Sequence, residues 1–568
     1  MIPTKAESRT EVVSEGGVVS ARRTAEAEAG VRMLAEGGNA IDAVVAAAFT
    51  GFVVEPESCG LGGYGHLAIF LAETSELLTV DHSPRAPRRA RPDMFALDET
   101  KPPLYYGWPR AADAGNEHGH LAAAVPGAVG GLCAAHERWG RLPLPHVVEP
   151  AVEAAEAGVE VTWSLALAIL SGLEFIRAHP HAAALLLRNG DPPRYRGYWG
   201  AGERLDVSDL AGTLRRIAAE GAAGFYAGPV AEAIEREFAA NGGILDAADL
   251  AAYKPKILRE KPASYRGYSY ITANDQVGYE TLNILERFEL ARYGPDSVEF
   301  RHLTAEACGH AFADNMAYYG DPEHTSSPVN GLASPGFAAE RAAALRLDRA
   351  ASRPIVPGDP WPYETEWEAP ENIVVEPSAG GPHGTSQMAA ADREGNMSAL
   401  ITTLTHGFGS CVLVPGTGVF LNNSMINYDP RPGRPNSIAP GKMPFFAVPA
   451  LVAARGGRAV FAACGSGGYR ILSGVVHTFV NAIDFGLPLE LAVDAPRIHC
   501  QGDETFVDSR IPEGVQTKLA ELGHRVVPET EDPGGLGFAR VSAVGVDART
   551  GLLHGAAGPA WSAAAAGL

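Results

Sequence analysis

Helical periodicity and glycine punctuation alternate at the start of the chain. Thr24 is placed to cap a helix whose first turn carries Glu26 and Glu28, and Gly37-Gly38 stops it. A second, almost wholly apolar helix is predicted from Ala40 to Phe49 behind an Asn39 cap, and a helix apolar on every side belongs in a core. The stretch GLGGYG at 60–65 follows. It has no Lys-Ser/Thr pair and no acidic residue placed for a ribose, so it reads as a tight structural turn rather than a phosphate loop.

Residues 120–260 are alanine-rich and helical in pattern. Pro229 suits a first helical position, Val230, Ile234 and Phe238 share one face, and Asn241-Gly242-Gly243 ends the helix. From Arg353 to Gly384 the texture changes to an extended connector with seven prolines and few periodic apolar positions. Beyond it, TSQMAAA (385–391), the turn DREGN and MSALITTLT (397–405) predict a β-hairpin. Pairing Ala391 with Met397 places Thr385 directly opposite Thr403, and opposed residues point to the same face of a sheet.

Composition narrows the functional classes. The 568 residues carry a formal charge of −21, which repels nucleic acid and anionic membrane. With 46% hydrophobic and 20% charged residues the chain is globular. The apolar run Ala43 to Val54 is far short of the ~20 residues of a membrane helix. The beginning, MIPTKAESRTEVV, lacks the apolar segment of a secretion signal, and the six cysteines are scattered without CxxC or metal-ligand spacing. The expectation is a cytoplasmic enzyme with reduced thiols, no metal, no cofactor, a small-molecule substrate, and no nucleic-acid or membrane partner.

The facing threonines suggest chemistry. A threonine hydroxyl becomes a useful nucleophile when the α-amine of the same residue takes its proton, which requires Thr385 to be the first residue of a chain. The bond Gly384–Thr385 would then have to be cut. On the residues alone, a structural Thr–Thr cross-strand pair is easily the better reading, because threonine is common in strands and such pairs are usually structural.

Longer motifs favour the chemical reading. GGNAIDAVVAAAF (37–49), VVEPESCGLGGYG (53–65), VPGAVGGL (125–132), GFYAGPVAEAI (224–234), GGILDAADLAAY (242–253) and AFADNMAYYGDP (311–322) precede the hairpin. GTSQMAAADREGN (384–396), FGS (408–410), TGVFLNN (417–423), PNSIAPGKMP (435–444), GSGGYRI (465–471) and DAPRIH (494–499) follow in order. In these the chain resembles the γ-glutamyltranspeptidase family of N-terminal nucleophile hydrolases. The resemblance implies an α+β fold, an αββα four-layer sandwich, made by a precursor that cuts itself into a large subunit (1–384) and a small one (385–568). The two subunits would stay associated, and a homo-oligomer of that pair remains open. By position, Thr385 falls on the nucleophile, Thr403 on the threonine that contacts it, and Gly467 and Gly468 on the oxyanion-hole diglycine.

The resemblance fails where the family grips a γ-glutamyl group. The anchor arginine of Asp-aromatic-Arg-Glu-x-Ala-Pro is Ser83, with Arg85 two residues on. Leu-Asn-Asn-Gln/Glu-Met-Asp-Asp reads through Asn423, Ser424 and Asn427, so the amine-binding aspartate is lost. The paired serines give way to Phe445 and Phe446, and the strand asparagine is Thr405. Losing several charge-assisted bonds, each worth about 1.5–3 kcal/mol, should abolish γ-glutamyl recognition. An apolar wall at Phe445-Phe446 and a carboxylate on Arg85 are the expected replacement, while His82 and His406 are read as polar lining. The resulting expectation is a self-processing threonine hydrolase or acyltransferase acting on a non-glutamyl substrate. The high-GC composition and lost anchors fit the family's actinobacterial branch, associated with hydrolytic C–C cleavage in alkylproline pathways; amide cleavage fits almost as well. An ordinary glutathione hydrolase and a non-catalytic scaffold are the alternatives.

Overall fold

The alternating hairpin becomes the centre of a layered body. The computed structural model describes residues 11–103, 107–197, 200–273, 275–364, 384–530, 537–558 and 563–568. Strands Gly384–Asp392 and Met397–Thr405 pair antiparallel with Ala391 opposite Met397 and Thr385 opposite Thr403, the register predicted from the sequence. They form the middle of a seven-stranded antiparallel sheet. Its order is Ala564–Gly567, Gly17–Ala21, Gly384–Asp392, Met397–Thr405, Tyr64–Leu71, Glu76–His82, Lys256–Arg259. A second seven-stranded antiparallel sheet draws strands from the start, the middle and the C-terminal part of the chain, around Arg458–Ser466 and Arg540–Val546.

Side-chain alternation assigns the two faces. Met388, Ala390, Leu400 and Leu404 join an apolar cluster with the helices. Ala389, Ala391, Met397, Ala399 and Ile401 join another with Ala453, Ala463 and Val475, between the sheets. Odd-numbered residues of both hairpin strands therefore look at the second sheet, and Thr385 and Thr403 lie on that face. Helices Thr24–Ala35 and Ala40–Val54 cover the outer face of the first sheet, and Ile471–Ile483 covers the second. This is the four-layer α+β sandwich.

Three local readings are refined. The first helix starts one residue earlier than its predicted cap allows: Thr24 is already helical, Arg23 is the capping position, and Glu26 accepts the Arg23 backbone N–H at 2.9 Å. Asn39 does cap the second helix, accepting from Ile41 N and Asp42 N, but that helix runs on through Thr50 and Gly51 to Val54 and stops just ahead of Pro56. Gly60–Gly65 is a turn followed by a strand, and close packing requires its glycines: a Cβ on Gly65 would stand 1.8 Å from the Ile401 carbonyl oxygen. Most of the predicted connector, 365–383, lies outside the described residues. The segments on either side of Gly384–Thr385 contribute strands to both sheets, so that bond separates no independent domains.

Candidate functional site

Register brings three residues from three strands into one row. Thr385 faces Thr403, and Thr403 faces Tyr64 on the next strand. The Thr385 hydroxyl donates to Thr403 Oγ1 at 3.2 Å, and the Thr405 backbone N–H donates to the same oxygen at 2.8 Å. With both lone pairs taken, the Thr403 proton goes to the Gly384 carbonyl oxygen, with which it forms a hydrogen bond. A register shift between Gly384 and Thr385 and a φ of +83° at Thr405 shape the backbone here. In the uncut chain, the Gly384 carbonyl, a hydroxyl donor to its oxygen and the Thr385 hydroxyl are thus assembled side by side.

Gly467 and Gly468 end the strand Arg458–Ser466 of the facing sheet. This strand is tied to the hairpin by Cys464 Sγ donating to the Met388 carbonyl at 3.2 Å. Their φ values of +137° and +62° are ones that side-chain-bearing residues rarely adopt, and a Cβ on Gly467 would come within 2.8 Å of Ala539 Cα. The chain turns there into a 3-10 segment and then the helix Ile471–Ile483.

The residues at which the sequence departs from the glutamyl-binding motifs hydrogen-bond with one another and with Tyr64. Tyr64, fully buried, shares a hydrogen bond of 2.7 Å with Thr405 Oγ1, and its oxygen accepts from Asn427 Nδ2 at 2.8 Å. Asn427 also donates to Ser424 Oγ at 3.1 Å. Burial pushes the Tyr64 phenol up to about 12 against the pull of those bonds, so it stays neutral. Asn423 lies behind this group: its Oδ1 accepts from His406 N at 3.0 Å and its Nδ2 donates to the Glu117 carbonyl at 2.9 Å. The role of Tyr64 was missed in the sequence because it sits in a glycine run read as a turn.

Ser83 meets His66, a second residue that the sequence reading overlooked. His66 Nε2 lies 2.8 Å from Ser83 Oγ and 3.4 Å from Asp81 Oδ1, which also accepts the Ser83 N–H at 2.9 Å. Burial works to raise the Asp81 carboxyl, but the bond and charge of His66, then Ser83 and Arg85, outweigh it and hold that group below the usual carboxylate range. His82, one residue on, points to the other face and packs over Gly131, so it does not line the site.

The two phenylalanines separate. Phe446 is half-buried and meets Tyr64 and His66 edge-on, with ring centroids 5.0 and 5.5 Å away. Phe445 turns into the core against Tyr319, with centroids 5.3 Å apart. The apolar wall next to Tyr64 is therefore Phe446. Arg85 faces Asp321, with Nη1 3.7 Å from Oδ2, a carboxylate oxygen that also accepts from Met443 N at 2.8 Å. Any anion reaching Arg85 would compete with Asp321.

Elsewhere, His302, Glu306 and His524 bring ligand-type atoms within 4.8 Å of one another. They satisfy each other and their neighbours instead. His302 Nδ1 bonds His524 Nε2 at 2.7 Å, His302 Nε2 bonds the Arg346 carbonyl at 2.7 Å, and Glu306 is ion-paired to Arg353 at 2.5 Å.

Comparison with known proteins agrees with the fold. The family model described as Gamma-glutamyltranspeptidase matches residues 26–568. The Acylase ACY 1 proenzyme of Pseudomonas sp. (strain V22) is 36% identical over 531 residues, covering 92% of this chain and 89% of that protein. The Glutathione hydrolase proenzyme of Bacillus subtilis (strain 168) is 31% identical over 562 residues, covering 98% and 92%. Among solved structures, a cephalosporin acylase from Bacillus halodurans superposes with a TM-score of 0.84 at 29% identity, covering 99% of this chain and 97% of that one.

Proposed function

Because the chain belongs to the γ-glutamyltranspeptidase family, we propose that it is a self-processing N-terminal threonine amidohydrolase or acyltransferase specific for acyl groups other than γ-glutamyl. Processing begins with attack of the Thr385 hydroxyl on the Gly384 carbonyl carbon, aided by the Thr403 proton on the carbonyl oxygen. The C–N bond breaks and the ester formed is hydrolysed. This frees the Thr385 α-amine and leaves subunits 1–384 and 385–568. In turnover the α-amine takes the hydroxyl proton, Thr385 Oγ1 attacks the substrate carbonyl, and the N–H groups of Gly467 and Gly468 receive the developing oxyanion. The amine leaves with a proton, and water or an acceptor amine releases the acyl group.

The observation that carries the specificity is Tyr64. Its hydroxyl already engages Thr405 and Asn427, the residues at the family's glutamyl-gripping positions, and Phe446 closes the space beside it. A γ-glutamyl head group would have to displace both. The likeness to an acylase proenzyme and to a cephalosporin acylase supports an amide of a different acyl group. The experiment is a comparison of kcat/KM for γ-glutamyl-p-nitroanilide with butyryl, hexanoyl, succinyl and phenylacetyl p-nitroanilides. The best non-glutamyl anilide should exceed the glutamyl one by about 100-fold or more, the equivalent of one or two lost charge-assisted bonds. Equal or better turnover of the γ-glutamyl anilide overturns the reading.

A further inference from the structure

On the other side of the hairpin lies a cluster of buried charges that bears on Thr385 itself. Ser386, alternating away from the inter-sheet face, reaches Glu26 Oε1 at 3.4 Å. Beside it, Arg22 donates from Nη1 to the Thr385 carbonyl oxygen and, at 2.7 Å, to Ser58 Oγ. Arg22 Nε lies 3.3 Å from Glu55 Oε1, and Arg23 Nε lies 2.6 Å from the same oxygen. Arg23 Nη2 is 2.9 Å from Glu57 Oε1. All five charged side chains are buried. Burial, then the charge of Glu55, holds the Glu26 carboxyl well above the usual carboxylate range. Burial also raises the Glu57 carboxyl, so the two guanidinium groups face a cluster in which the negative charge is reduced.

Covalent geometry relates this cluster to the base. The amine and carbonyl oxygen of one residue share a Cα and lie about 3 Å apart, so a guanidinium on that oxygen stands roughly 5 Å from the amine. A cation at that distance disfavours protonation of the amine, and only the unprotonated amine can accept the hydroxyl proton. Resting on the reading of Thr385 as an N-terminal nucleophile, we infer that Arg22 is a positioning residue: it fixes Thr385 through its carbonyl and keeps the freed α-amine in its basic form near neutral pH.

The surrounding groups set the sign. Glu55 and Glu57, behind the arginines, oppose the effect, and removing Glu55 strengthens it. From the hairpin, Thr403 and Thr405 present hydroxyls without charge. The His406 carbonyl lies beside Gly384, and burial, then His118 and Arg110, push its imidazole down to about 3, so it too is neutral. From the facing sheet, Gly467 and Gly468 bring backbone alone, and Arg470 beyond them is paired with Glu529 at 2.9 Å.

The test uses matured wild type, Arg22→Met, Arg22→Lys and Glu55→Gln. The rate of acylation by p-nitrophenyl butyrate is followed between about pH 5 and 9, a range that spans the α-amine's ordinary pKa. Arg22→Met should move the acid limb up by about one pH unit, Arg22→Lys should restore it, and Glu55→Gln should move it down. A cut Arg22→Met chain with the wild-type limb overturns the proposal. If Arg22→Met does not fold, Glu55→Gln decides, and an unmoved or upward-shifted limb overturns it. A wild type that is active but uncut overturns the nucleophile assignment and this inference with it; a cut wild type with unmoved limbs overturns this inference alone.

Discussion

Thr403 donates its hydroxyl proton to the carbonyl oxygen of Gly384, the residue immediately before Thr385. The donation is dictated by its neighbours, because the Thr385 hydroxyl and the Thr405 N–H occupy the two lone pairs of the same oxygen. One side chain therefore holds the Thr385 hydroxyl and polarises the Gly384 carbonyl, the two tasks that the proposed self-cleavage requires.

Thr403→Ala should slow processing by about 100-fold, the effect of removing one donor to a developing oxyanion. Folding should barely change, since a cross-strand hydroxyl pair adds only about 0.2–1 kcal/mol. Thr403→Ser should process at near the wild-type rate. A time course of intact masses, alongside thermal melts, checks both; wild-type processing of Thr403→Ala contradicts the assignment.

Tyr64 should control which acyl groups enter. Tyr64→Phe leaves the buried Thr405 and Asn427 without their shared partner and should cost about 1–3 kcal/mol of stability. Tyr64→Ala opens space beside Phe446 and should raise kcat/KM for phenylacetyl p-nitroanilide relative to butyryl p-nitroanilide. An unchanged ratio between the two anilides contradicts a role in acyl selection.

Buried histidines should make a destabilising contribution in acid, against the opposite pull of buried carboxyls such as Glu26 and Asp275, which are held above the usual carboxylate range. Burial, then the charge of nearby His66, pushes His82 down from 6.5 to about 4, and burial pushes His406 from 6.5 to about 3. The unfolded chain binds these protons from about pH 6.5 downward, while the folded chain does not until pH 4 or 3. Their contribution is thus fully present above the unfolded value and falls as pH drops through this window, by about 1 kcal/mol per pH unit for each histidine. Chemical denaturation at a series of pH values checks the slope, and His82→Gln should flatten it if the variant folds. A pH slope that a folded His82→Gln variant leaves unchanged contradicts the account.

How much of this was legible follows the range of the interactions. The hairpin register was readable because a period of two and a short polar turn fix it within 21 residues, Thr385 to Thr405. Thr403 as the partner of Thr385 came from that arithmetic alone. Tyr64 was not readable: its place beside Thr403 depends on pairing between strands more than 300 residues apart in the chain. Arg22 and the His66–Ser83 contact are hidden for the same reason. Phe445 and Phe446 were adjacent in sequence and were treated as one wall, yet one turns to the core and the other to Tyr64.

The central claim is that Thr385 works as the first residue of its own chain. The most direct measurement is intact-mass spectrometry of the purified protein before and after a short reaction with p-nitrophenyl butyrate. The account predicts two chains divided between Gly384 and Thr385, with the acyl mass added to the chain that begins at Thr385 and absent from a Thr385→Ala variant, which stays uncut. An undivided 568-residue chain that still hydrolyses acyl anilides, or an acyl group carried on any other residue, would contradict it.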